Sequence, residues 1–113
     1  MIERYNSNGI FSEAVIHNGI LYLSGKVGSG DTVTEQATDV LNKIEAALEK
    51  YGSDKDHILT AVVYLADIGA FAEFNAVWKP WFAESMPPAR TCVEAKMAAP
   101  QYLVEVTITA AVK

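Results

Sequence analysis

The run "LVEVTITAAV" at 103 to 112 narrows what this chain can fold into more than any other stretch. Val104, Val106, Ile108, Ala110 and Val112 alternate without a break with Leu103, Glu105, Thr107, Thr109 and Ala111. A period of two over ten residues is that of an extended strand, whose successive side chains point to opposite faces. One face is wholly apolar and has to be covered by helices. The other mixes a carboxylate with threonines and must look at water or at another subunit. A sheet covered on one side only is the architecture this pattern requires.

The remaining segments fit around such a sheet. In 90 to 97 Arg90, Cys92, Glu94 and Lys96 share one face, and Thr91, Val93, Ala95 and Met97 the other. Asn18-Gly19 stands between two apolar runs, the dipeptide best suited to a two-residue hairpin turn with positive φ at both positions; strands are expected near 14 to 17 and 20 to 25. The loop "GKVGSGD" follows and reads as a turn. Thr32, three residues before Glu35, fits a capping box, with Thr34 as the alternative cap. From there Ala37, Val40, Leu41, Ile44, Ala47, Leu48 and Tyr51 recur at helical spacing up to Gly52, which closes the helix.

"ILTAVVYLA", residues 58 to 66, is a short apolar run rich in β-branched residues and reads as a buried strand. Over 70 to 85, Phe71, Phe74, Trp78, Trp81 and Phe82 make an aromatic stripe at helical spacing that belongs on a sheet. Pro80 removes one backbone donor there, so the helix is expected to kink or tighten in its last turn. The order β-β-α-β-α-β-β describes an α+β sandwich with two helices on one face of a mixed sheet. Its semi-polar open face implies that several sheets meet around a symmetry axis in a small ring.

The 113 residues form one domain, 1–113, with no composition shift that would mark a linker. Half of them are hydrophobic and the net charge is −5, an acidic balance that disfavours gripping nucleic acid, which needs clustered Lys and Arg. There is no apolar run of the roughly 20 residues that span a bilayer and no leader-like start, so the expected location is the cytosol, away from membranes. The single Cys92 excludes an internal disulfide. His17 and His57 lack a ligand spacing, and neither metal nor cofactor is expected.

Four residues stand out for chemistry. Arg90 follows the rigid Pro87-Pro88 lead and could fork onto a small carboxylate; the plainer reading is a salt bridge with Glu94 or Asp67. Glu105, in mid-strand, is either a carboxylate set for acid–base work or a solvated residue on an open face. Cys92 could be a nucleophile, but no histidine is placed to activate it, and a packed thiol is the plainer reading. Ser24, before Gly25, either hydrogen-bonds a ligand or is a simple turn serine. The glycines of "GKVGSG" lack the spacing of a phosphate-binding loop.

"PPARTCVEAKM" followed by "YLVEVTITAAV" resembles the Pro-Ala-Arg-Ser/Thr-Cys-Val-Glu segment and the closing Val/Ile-Glu strand of the reactive intermediate deaminase family, also called the RidA or YjgF/YER057c/UK114 family. The resemblance runs over nearly the whole chain, and Arg90 and Glu105 keep the family's fifteen-residue separation. It implies a chorismate-mutase-like α+β homotrimer with ligand clefts between subunits, in which the imine tautomer of a 2-aminoacrylate-type enamine is hydrolysed to a 2-oxo acid and ammonia without a cofactor. Arg90 would hold the substrate carboxylate, Cys92 would offer main-chain contacts, Glu105 would activate water and Ser24 would line the pocket. Phe11 stands where deaminase members carry a tyrosine, and "MAAPQY" at 97 to 102 replaces the usual Leu-Pro form.

Two functions are therefore expected in competition: a 2-imino acid or enamine deaminase, and a non-catalytic trimer that holds small carboxylate metabolites in the same clefts. RNA cleavage, suggested by the family's older naming, is disfavoured by the acidic balance.

Overall fold

A computed structural model covers all 113 residues. Its strands are β1 (Glu3–Ser7), β2 (Ser12–His17), β3 (Ile20–Leu23), β4 (Lys26–Val27), β5 (Ile58–Leu65), β6 (Ala89–Glu94) and β7 (Val104–Ala111), with helices α1 (Val33–Lys50) and α2 (Phe71–Trp81). They make one sheet in the order β1-β2-β3-β7-β5-β6, with β4 also beside β7. Only β5 and β6 run parallel, joined by the α2 crossover. This is the expected α+β architecture, with β1 and β4 added to it. β1 is polar and almost wholly exposed, so no alternation betrays it. β4 has two residues, too few to show a period, and lies inside the loop read as a turn.

Asn18 and Gly19 adopt φ of 52° and 77°, the pair of left-handed residues that a two-residue hairpin between twisted strands demands. Thr32 is the cap of α1: its hydroxyl accepts from the Glu35 N–H at 3.1 Å, and the Glu35 carboxylate accepts from the Thr32 N–H at 3.2 Å. Thr34 has another task. Its N–H and hydroxyl donate to Glu73 at 3.0 and 2.9 Å, pinning the start of α1 to α2. Pro80 sits in the last turn of α2, where the Phe82 and Ala83 N–H groups bond to Lys79 and Pro80, three residues back. The turn tightens, as a missing donor requires.

Val104, Val106, Ile108 and Ala110 of β7 are buried together with Ala61, Val63 and Leu65 of β5 under Val40, Leu41, Ile44 and Leu48 of α1 and Phe74 and Trp78 of α2. Each such aliphatic side chain contributes about 1.5–3 kcal/mol by leaving water. The strictly apolar face thus meets the helices.

Strand pairing decides the faces of β6. Arg90 is level with Ala61, which is level with Ile108, so Arg90 and Cys92 lie on the helix side. Glu105 is level with Tyr64, which is level with Val93, and these three share the open side.

A carboxylate cluster anchors the end of the sheet next to α1. Glu13 accepts from the Tyr51 hydroxyl at 2.6 Å, Lys26 at 2.9 Å, Asn6 at 3.0 Å and Lys50 at 3.4 Å. The bonds from Tyr51, Lys26 and Asn6, Tyr51 foremost, hold the Glu13 carboxyl well below the ordinary glutamate range.

Candidate functional site

Arg90 begins β6 with its guanidinium carbon 5.1 Å from the ring centre of Trp78, 5.5 Å from Phe71 and 5.7 Å from Phe74. Phe74 and Trp78 of the α2 stripe are buried core and, with the exposed Phe71, form a sleeve for this cation, which is attracted to the ring faces. No ion pair forms with Glu94 or Asp67; Arg90 makes no salt bridge at all in the chain. Its Nη1 is buried without a hydrogen-bond partner. A cavity of about 500 Å³ opens beside it, lined by Asn75, Trp78, Phe82 and Pro87 among others.

Asn75 is a site residue that reading the sequence missed. Its side-chain oxygen is likewise buried and unpartnered. An orphan donor and an orphan acceptor in one cavity are uncommon, because buried polar groups are nearly always satisfied. The available signal was one uncharged polar residue beside Phe74 within an aromatic helix, and such a signal gains meaning only when it is seen to share a cavity with Arg90.

β6 is the outer strand and pairs only with β5, so its far edge leaves main-chain groups unpaired around Cys92. Burial pushes the Cys92 thiol up, and the Arg90 charge only partly offsets it. A protonated thiol is a poor nucleophile.

The other predicted residues gather on the open side. Phe11, Ser24, Gly25, Tyr102 and Glu105 line a second cavity of about 320 Å³. Ser24 is held there by its N–H bond to the Glu13 carbonyl at 3.0 Å, in the break between β3 and β4. β4 pairs Val27 with Glu105, which brings Gly25 against the carboxylate: a Cβ on Gly25 would lie 3.0 Å from Glu105 Cδ and 3.2 Å from Cγ. Ser24 and Gly25 both line the cavity that holds Glu105. Three of the residues singled out in the sequence thus share one cavity with Glu105 among them, while Arg90 and Cys92 belong to the other side of the sheet. The loop "GKVGSG" straps α1, with the Ser29 N–H on Asp39 at 2.8 Å and the Gly30 carbonyl accepting from Gln36 at 3.0 Å.

A mixed sheet under two helices, with an orphaned arginine on one side and a carboxylate cavity on the other, defines a small α+β domain with a candidate ligand site on each face of its sheet. Residues 1–112 match a family model described as endoribonuclease L-PSP. The chain is 40% identical over 114 residues to a RutC family protein of Haemophilus ducreyi, covering 99% of this chain and 97% of that one. It is 40% identical over 112 residues to the RutC family protein YoaB of Escherichia coli, covering 98% of each. A YjgF family member of Neisseria meningitidis superposes with a TM-score of 0.96 at 46% identity, over 100% of this chain and 96% of that one. The chain belongs to the YjgF, or RutC, family, which the L-PSP model describes.

Proposed function

We propose that the protein is a 2-imino acid or enamine deaminase, and the observation that carries this reading is the buried, unpartnered guanidinium nitrogen of Arg90. A fixed arginine with free donors facing a cavity is suited to a small carboxylate. On the other side of the sheet Glu105 sits in a cavity without a cationic partner, where it can take a proton from water. Water adds to the C=N carbon of the imine while Glu105 accepts its proton. Returning that proton to nitrogen gives a carbinolamine; its hydroxyl proton then moves to the amine as the C=O bond forms and the C–N bond breaks, and a 2-oxo acid and ammonia leave. Orientation of the carboxylate and of the water supplies the catalysis, as expected for a reaction needing little beyond placement.

One chain does not bring Arg90 and Glu105 to the same ligand. A second copy has to close the cleft, and the half-apolar open face, with Val15, Tyr22, Val62 and Val93 only partly covered, favours a homotrimer packed through it. Sedimentation should then return three times the 12.3 kDa chain mass, and a monomer at micromolar concentration would remove the shared cleft. Its expected ligand is a small carboxylate-bearing imine or 2-oxo acid, with no nucleic acid and no membrane, in the cytosol.

The direct test is ammonia and 2-oxo acid release from freshly generated 2-aminoacrylate, comparing the wild type with Arg90→Ala. Turnover lost in the variant supports the reading; turnover retained there removes Arg90 from it. The rival, a non-catalytic trimer that holds small acids, is favoured by Phe11, an exposed ring that gives the Glu105 cavity no hydroxyl. Binding of a 2-oxo acid without any turnover would select it.

A further inference from the structure

The Glu105 cavity contains a polar group that the reaction above leaves unused. Tyr102 lines it together with Phe11, Val27 and Ala98. The hydroxyls of Tyr5 and Tyr51 are committed to Glu3 at 3.1 Å and Glu13 at 2.6 Å. Those of Tyr22, Tyr64 and Tyr102 are bonded to nothing in the chain, and of these only the half-buried Tyr102 lines this cavity.

Its place is set from the core. Gln36 of α1, only 2% exposed, accepts from the Leu103 N–H at 2.8 Å and donates to the Gln101 carbonyl at 2.8 Å. The residues immediately before and after Tyr102 are thus clamped by one buried amide, and the Tyr102 N–H closes a turn onto the Ala99 carbonyl at 3.2 Å. A buried side-chain amide that meets its own hydrogen-bonding needs on this turn gives it one conformation. β7 starts two residues on and carries Glu105, so phenol and carboxylate rest on the same rigid base.

We propose that Tyr102 is a substrate-contacting residue, its free hydroxyl donating a hydrogen bond to the imine nitrogen, or to the 2-oxo oxygen that replaces it, of a small acid held beside Glu105. The cavity suits this division: Glu105 can only accept when ionised, the remaining walls are largely apolar, and Ser24 and Tyr102 are its side-chain donors. The chemical class of the ligand rests on the deaminase reading; the contact itself rests on the cavity.

Tyr102→Phe removes the hydroxyl and nothing else. The probe is pyruvate, titrated calorimetrically into the wild type, Tyr102→Phe and Arg90→Ala, beside ammonia release from 2-aminoacrylate. We expect Tyr102→Phe to weaken pyruvate binding and lower kcat/KM by ~3- to 10-fold, the worth of one net hydrogen bond, with an unchanged melting temperature because no intrachain partner is lost. Equal binding and equal turnover in Tyr102→Phe overturn the proposal while leaving the deaminase reading in place. If the wild type neither binds pyruvate nor turns over the enamine, both fall together.

Discussion

Arg90 and Glu105 project from opposite faces of the same sheet, Arg90 level with Ala61 and Ile108, Glu105 level with Tyr64 and Val93. If they serve one ligand, they do so from different copies of the chain. Arg90→Ala and Glu105→Ala should each be inactive as pure proteins, while co-refolded equal mixtures should regain about a quarter of wild-type turnover, since a cleft is intact when one neighbour keeps the arginine and the other the glutamate. Mixtures as inactive as the parents would show that both groups act from a single chain.

Gly25 lies against the Glu105 carboxyl group, and its position leaves no room for a side chain. Gly25→Ala should push the carboxylate off its station and lower kcat by ~10- to 100-fold, the scale on which a misplacement of about an ångström acts. Circular dichroism should show the same fold. A Gly25→Ala enzyme with wild-type kcat would mean that the placement of Glu105 is irrelevant to the rate.

Gln36 joins the Gly30 and Gln101 carbonyls and the Leu103 N–H. Gln36→Leu fills a similar volume; water can reach the carbonyls of the exposed Gly30 and Gln101, but the half-buried Leu103 N–H is left unpaired, at ~1–3 kcal/mol. Thermal unfolding should shift down by roughly 10 °C, given about 4–8 °C per kcal/mol for a domain near this size. A shift of a degree or two would show that water replaces the amide.

Glu13 predicts acid sensitivity. Its carboxyl is held below the ordinary value of 4.5 by Tyr51, Lys26 and Asn6, so the folded state binds its proton less readily than the unfolded chain. The stabilisation is therefore complete above about 4.5 and is lost as pH falls below it. Melting temperatures measured from pH 7 down to pH 3 should drop more steeply for the wild type than for Glu13→Gln, which has no proton to take up. Parallel curves would contradict the role given to the cluster.

Much of this was written in local pattern. The strict alternation of 103 to 112 named its own buried face, and the Thr32 box, the Asn18-Gly19 turn and the Pro80 tightening each follow from interactions within a few residues. Phe11, Ser24 and Glu105 were singled out as site residues and share a cavity. The short strands β1 and β4 escaped because a polar edge strand and a two-residue strand carry no periodic signal. Asn75 and Tyr102 escaped for a different reason: each is ordinary in its own segment, and their interest arises from an unpaired atom or hydroxyl seen beside residues distant in sequence.

The chain's periodicity alone settles α1, α2, β5 and β7 as elements and the apolar face of β7 that the helices cover, because burial free energy acts on every side chain of a stripe at once. The side of the sheet taken by Arg90 was not settled that way. Neither face of β6 is strictly apolar, so burial preference is nearly balanced there, and the parallel pairing with β5 makes the choice. That register sends the guanidinium under α2 among Phe71, Phe74 and Trp78 and leaves Glu105 on the far side, a separation that hydrogen-bond pairing across the sheet imposes and no single strand can specify.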